Sequence, residues 1–196
     1  MRPLIIAVSL AAGGCGNSAT HPIRPASPSD YPSARPAIVI HDYRADLTGV
    51  HAANPTVKLT VGRDPDLASE PILLVDYPAP TDDPAGRDIG LDASTRDWTA
   101  GRGIAFRVKP AHPIKVSVSF LDRNGVAYTS WTELQGGVWQ PVLVPFADIR
   151  PNPYFQPPGA KTGTPIDVSE VKWIGIAPQD RASGRLAIST IVLLPK

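Results

Sequence analysis

The sequence predicts an all-β protein, a two-sheet antiparallel β-sandwich of the jelly-roll kind. Three observations carry that prediction. From Ala37 onward, apolar residues recur at every second position and not at helical spacing. The segments between these runs are rich in Gly, Pro, Asp and Asn, the residues of tight connections. The 23 prolines and 16 glycines among 196 residues suit a loop-rich β protein and disfavour long helices.

The chain divides into three parts. Residues 1–15, "MRPLIIAVSLAAGGC", place Arg2 before an apolar run from Leu4 to Ala12, with small residues leading to Cys15. This is the layout of a secretory signal, and the run is too short to span a bilayer. Cys15 is the single cysteine, so no internal disulfide exists. Its setting resembles the bacterial lipobox, in which the cysteine becomes the lipidated first residue of the mature protein. Ala12 stands where that motif usually has leucine, and Leu10 lies two residues earlier. The resemblance implies an exported lipoprotein attached to a membrane through its lipid alone. Each buried methylene of an acyl chain contributes about 0.8 kcal/mol, so several chains anchor stably. Gly16, where an aspartate would resemble the inner-membrane retention signal, leans the expectation towards the outer membrane of a diderm bacterium. Residues 16–36, "GNSATHPIRPASPSDYPSARP", lack hydrophobic periodicity and read as a disordered, partly polyproline-like tether. At about 3.1 Å per residue it spans several nanometres.

Residues 37–196 form the predicted sandwich domain. Ile38 and Ile40 open its first strand, and Val57, Leu59 and Val61 alternate in the second. "EPILLVDYP" is a short and more fully apolar run. "GIAFRVKP" sets Ile104, Phe106 and Val108 on one face, with Arg107 and Lys109 on the other. "PIKVSVSFLD" alternates Ile114, Val116, Val118 and Phe120 against Lys115, Ser117 and Ser119. "DRNG", Asp122 to Gly125, is a tight-turn signal, and "VAYTSWTEL" returns from it. "VWQPVLVPF" puts Val142, Val144 and Phe146 on one face and Trp139 and Leu143 on the other; its prolines mark a bulge or an edge strand. "VKWIGIAP" and "RLAISTIVLL" complete about nine strands, enough for two packed sheets.

The tryptophan, alternating valines and Pro-Phe-x-Asp of "VWQPVLVPFAD" resemble carbohydrate-binding modules of the galactose-binding-like jelly-roll superfamily. The β-glucan-binding family 11 modules are the best match, and the complex I intermediate-associated domains carry the pattern too. "ILLVDYP", "LDASTRDWTAGRGIAFRVKP", "VSVSFLDRNGVAYTS", "IDVSEVKWIGIAP" and "GRLAISTIVL" follow these modules in order along most of Ile38 to Leu194. The resemblance implies a galactose-binding-like sandwich with a polysaccharide-binding or protein-assembly role. It departs at the terminal strands. Such modules often begin with Asp-Phe-Glu and end with Asp-Asp-Ile, acids that can belong to a structural calcium site. Here the stretches read Asp42-Tyr43-Arg44 and Ser189-Thr190-Ile191, so the oxygen ligands calcium needs are missing and no metal or cofactor is expected.

Charge and motifs argue against other classes. A formal net charge of +1, with no basic run interleaved with aromatics, gives no nucleic-acid signal. There is no G-x-S-x-G elbow, Gly-rich phosphate loop or nucleophilic cysteine, and His21, His41, His51 and His112 lack metal-ligand spacing. Asp82-Asp83 in "APTDDPAGRD" reads as a solvated turn ahead of sugar-binding or glycosidase acids. The chain is therefore read as a non-catalytic, envelope-anchored polysaccharide-binding lipoprotein. The alternative is a lipoprotein module whose partner is another envelope protein. Sugar binding needs aromatic rings for pyranose faces and polar groups for hydroxyls. Trp131 and Trp173 are the first candidates for stacking, with Arg107 as a hydrogen-bonding partner and Trp139 and Tyr128 as further candidates. Trp98 in "RDWT" reads as structural.

Overall fold

The computed structural model describes residues 38–43, 46–67, 70–80, 87–93 and 96–196. Cys15, the tether, Arg44 and the Asp82-Asp83 pair lie outside the described residues. The rest is a β-sandwich of two antiparallel sheets with no α-helix among the described residues. Its strands are β1 (Ile38–His41), β2 (Val50–Ala52), β3 (Lys58–Arg63), β4 (Pro71–Tyr77), β5 (Ile89–Leu91), β6 (Gly101–Pro110), β7 (Ile114–Leu121), β8 (Ala127–Leu134), β9 (Gln140–Pro145), β10 (Arg150–Pro151), β11 (Trp173–Pro178), β12 (Gly184–Ile188) and β13 (Ile191–Pro195). One sheet runs β1-β13-β6-β12-β4-β3, with β9 also on β6; the other runs β10-β8-β7-β11-β5-β2.

Two-residue periodicity builds the core. Ile104, Phe106 and Val108 of β6 face Val116, Val118 and Phe120 of β7 across the sandwich, with Ile174 and Ile176 of β11 beside them, all buried. Burial of a side chain of this size stabilises by about 1.5–3 kcal/mol. The long strand β6 organises its sheet. Its start pairs with β13, its end with β12, and its other edge carries β9. The predicted single strand "RLAISTIVLL" is thus two strands. Between them the Ser189 N–H donates to Arg107 O at 3.0 Å, and the Arg107 N–H donates to Ser189 Oγ at 2.8 Å.

The two prolines of β9 are explained by its place. It pairs only with β6, in continuous register from Val108↔Gln140 to Gly103↔Pro145, so it is an edge strand without a bulge. Phe146 then turns inward, and its ring stacks on buried Trp98 at 5.9 Å and 13°. Phe120 meets both rings edge-on. Trp98 thus plugs one end of the core.

The β7–β8 hairpin closes through Asp122–Gly125. The Gly125 N–H donates to Asp122 O at 3.0 Å, and only Gly125 of the turn has positive φ, at 72°. This is the three-residue type of loop ending in a left-handed glycine. Asp122 is fully buried; its Oδ1 accepts the Val126 N–H at 2.9 Å and its Oδ2 the Asp167 N–H at 3.1 Å.

Two predictions follow from these contacts. Asp122→Ala strands two backbone donors and is expected to cost about 2–4 kcal/mol in urea unfolding. Gly125→Ala meets no atom within 4 Å, so it reports backbone strain alone, about 1–2 kcal/mol. Equal losses for the two variants would contradict this division.

Acid sensitivity is also built in. The Asp66 N–H holds the Asp64 carboxyl below the usual carboxylate range, the Arg185 guanidinium does the same for Asp76, and the Ser169 hydroxyl for Asp167. Folded values below unfolded ones mean that their contribution is complete above about pH 4 and is lost as pH falls through the folded values. The melting midpoint is expected to fall between about pH 6 and about pH 3, and a flat profile there would refute the linkage.

Candidate functional site

The outer face of the β10-β8-β7-β11-β5-β2 sheet carries a groove of about 850 Å³. Its floor follows from cross-strand register. Ser117 lies between Trp131 and Ala177, Ser119 between Thr129 and Gly175, and Leu121 between Ala127 and Trp173. Small residues thus pave the middle, with Trp131 and Trp173 at diagonally opposite positions. Polar atoms on this floor are ordered. Ser119 Oγ donates to Thr129 Oγ1 at 3.1 Å, and Gln179 Nε2 donates to Ser117 Oγ at 2.9 Å.

One rim is the loop after β10. Asn152 Oδ1 accepts the Tyr154 and Phe155 N–H groups at 2.9 and 3.2 Å, bending the chain so that both rings point outward. Gln156 fastens this loop to β8: its Nε2 donates to Ala127 O at 2.7 Å and its Oε1 accepts the Ala127 N–H at 3.1 Å. Tyr154, 86% exposed, meets Trp131 edge to face at 6.3 Å and 77°. Lys115 Nζ lies 5.7 Å from the Trp131 ring centre, within cation–π range.

The opposite rim includes Asp88 and Gln179. Each adjoins a buried ionic pin. Arg87 is 2% exposed; its Nη1 donates to Asp180 Oδ1 at 3.0 Å and Ala182 O at 3.2 Å, and its Nη2 to Pro178 O at 3.1 Å and to Asp180 O. His112 Nε2 pairs with the second Asp180 oxygen at 2.7 Å, and the Arg87 guanidinium lies 5.5 Å from the Tyr77 ring centre. Burial, and then the negative Asp180, push the Tyr77 hydroxyl up to about 12.

The structure brings together two of the sequence candidates and separates three. Trp131 and Trp173 both line the groove. Arg107 does not: it is exposed on the outer face of the other sheet, opposite Pro141. Trp139 lies on that same distant face, packed with Leu67, Ile72, Leu74 and Ala187. Tyr128 is 1% exposed and points into the core, where its hydroxyl donates to Thr164 O at 2.7 Å and burial pushes its pKa up. These three are corrections to the predicted grouping. The groove instead adds Tyr154, Phe155, Asn152 and Gln179, which no strand periodicity marks. Among the described residues, no group of three or more His, Cys, Asp or Glu is placed to hold a metal ion.

No protein-family model matches the chain, and no curated protein does. Solved structures do match. The family 11 carbohydrate-binding module of a cellulosomal cellulase of Clostridium thermocellum superposes with a TM-score of 0.64 at 20% identity, over 84% of this chain and 97% of that one. A family 11 module from Clostridium thermocellum in complex with a β-1,3-1,4-mixed-linked tetrasaccharide gives 0.64 at 20%, over 83% and 98%. An exo-β-agarase gives 0.58 at 12%, over 81% of this chain and 25% of that one. The chain thus has the jelly-roll fold of family 11 modules, as the sequence motifs implied.

Removing Arg87 is expected to cost about 1–3 kcal/mol, because the Pro178, Asp180 and Ala182 carbonyls lose their buried donor while His112 stays as the ionic partner of Asp180. Arg87→Ala measured by guanidinium unfolding tests this. A loss under about 1 kcal/mol, the range of exposed pairs, would show that the pin is not structural.

Proposed function

We propose that the domain binds a polysaccharide in the sheet groove without cleaving it. The observation that carries this is the pairing of Trp131 and Trp173 on one outer sheet face, across a floor of small and hydroxyl-bearing residues. Aromatic rings take the apolar faces of pyranoses, and Ser, Thr, Asn and Gln side chains take hydroxyls. The described groove residues are mostly neutral, with Asp88 at one rim and Lys115 against the Trp131 ring, which fits a neutral chain. The fold shared with family 11 modules, one of them solved with a mixed-linked tetrasaccharide, supports the same reading.

We also propose that the domain is carried on an exported lipoprotein anchored through Cys15, at the outer membrane of a diderm host. The apolar run Leu4–Ala12 and the small residues before Cys15 support this reading. Cys15→Ser is expected to release the protein from the membrane fraction and to abolish palmitate labelling. Unchanged fractionation would remove the anchor.

Affinity electrophoresis of residues 37–196 in gels holding soluble neutral glucans, galactans or xylans tests the binding. Trp173→Ala and Trp131→Ala are expected to lose retention by about two- to tenfold, taking a ring–pyranose contact at about 0.5–1.5 kcal/mol, the size of an aromatic pair. Arg107→Ala and Trp139→Ala, on the far sheet, are expected to retain parental mobility in the glycan gel. Retention lost in Arg107→Ala and kept in Trp173→Ala would move the site to the other sheet. No retention of the parent in any gel would favour a protein partner for the same lipoprotein.

A further inference from the structure

Trp173 does not stand on the sheet as an ordinary side chain. Gly175 and Gly90 are directly opposite one another in the β11–β5 ladder, on the groove side. The Trp173 indole lies over both. A Cβ at Gly175 would sit 2.0 Å from Cη2 and 2.6 Å from Cζ2 of that ring, and a Cβ at Gly90 would sit 2.5 Å from Nε1. The ring edge from Nε1 to Cη2 therefore runs along the glycine pair and fills the space two side chains would take. Neither glycine has positive φ, so backbone conformation does not require glycine at either place. Glycine in a strand interior weakens it, with no side chain to pack. Here two sit side by side beneath the one ring that needs their room.

We propose that Gly90 and Gly175 are positioning residues: together they form a seat that fixes the height and angle of the Trp173 indole as a groove platform. The platform role rests on the polysaccharide reading above; the seat itself does not. A methyl group at either glycine lies too close to the ring for small relaxation, so the indole must swing out of the seat. Trp173 keeps its chemistry and its place in the sequence, yet loses the geometry that a stacked pyranose requires. The seat also accounts for the half-buried state of a tryptophan on an outer sheet face.

The test uses residues 37–196 labelled with 5-fluorotryptophan, with the Trp173 resonance assigned through Trp173→Phe. Gly175→Ala and Gly90→Ala are each expected to move the Trp173 fluorine resonance and to leave that of core Trp98 in place. Retention in the glycan gel is expected to fall by about two- to tenfold, the size of one lost stacking pair. A Trp173 resonance that stays put in both variants overturns the seat. A resonance that moves while retention stays parental overturns the positioning role. Loss of the Trp98 resonance position in both variants would show that the glycines serve folding and not the platform, and overturns the proposal likewise. If the parent domain is retained by no glycan, the polysaccharide reading fails, and with it the platform role; the resonances still decide whether the seat exists.

Discussion

The groove depends on the register of β7 between β8 and β11. That register sets Ser117 beside Trp131 and Ala177, and Leu121 beside Ala127 and Trp173. A slip of one residue would turn every side chain of β7 over, putting Val116, Val118 and Phe120 on the outer face. Those residues are buried against the other sheet, so the apolar layer itself forbids the slip. The groove face is in this sense a by-product of core packing. Whatever the core selects for one parity leaves the other parity free to carry small and hydroxyl-bearing residues, and the groove consists of that second set.

Buried polar groups hold the rims that the sheets alone do not fix. Arg87 bonds carbonyls on both sides of Gln179, so the segment leaving β11 is clamped at the point where it supplies a groove residue. Asp122 ties the β7–β8 turn to the long connection before β11 through the Asp167 N–H. Asn152 and Gln156 do the same for the Tyr154 loop with half-buried amides in place of charges. A donor or acceptor buried without its partner costs about 1–3 kcal/mol, more for a charge. Each of these side chains is accordingly met by several hydrogen bonds, with the Arg87 Nε left as a buried donor without one.

Much of this was legible in the sequence, and the rest was hidden for definite reasons. Alternation read correctly the inward set of β6, β7 and β9, because a strand buried on one face must repeat every two residues. It missed β2, β5 and β10, which have two or three residues and are too short to show a period. It merged β12 with β13, because Ser189 and Thr190 interrupt the pairing while apolar residues continue on both sides. Parity also tells face from face but not sheet from sheet. Arg107 and Trp173 both point outward, yet on opposite sides of the sandwich. Tyr128 was misplaced for a simpler reason: its own parity puts it with the core, and its hydroxyl finds Thr164 O there. Arg87 carries no local signal at all, since its partners lie more than ninety positions along the chain.

An open groove on a sheet constrains the strength of any binding. A chain laid across it is covered on one side and must be ordered from a flexible state. Two indoles covered by sugar rings would contribute mainly through apolar area removed from water, at about 25 cal/mol per Å². Preordered floor groups, such as the Gln179–Ser117 and Ser119–Thr129 pairs, reduce what must be fixed on the protein side, and the glycine seat would do so for Trp173. The remaining cost falls on the ligand. The proposed single-site binding would therefore be weak, and a weak module gains function by number. On the proposed lipoprotein reading, many copies on one membrane, facing a polymer with repeated units, would convert later contacts into intramolecular ones. On that same reading, the length of chain between anchor and domain would matter as much as the groove, since effective concentration depends on whether it spans the distance between neighbouring sites.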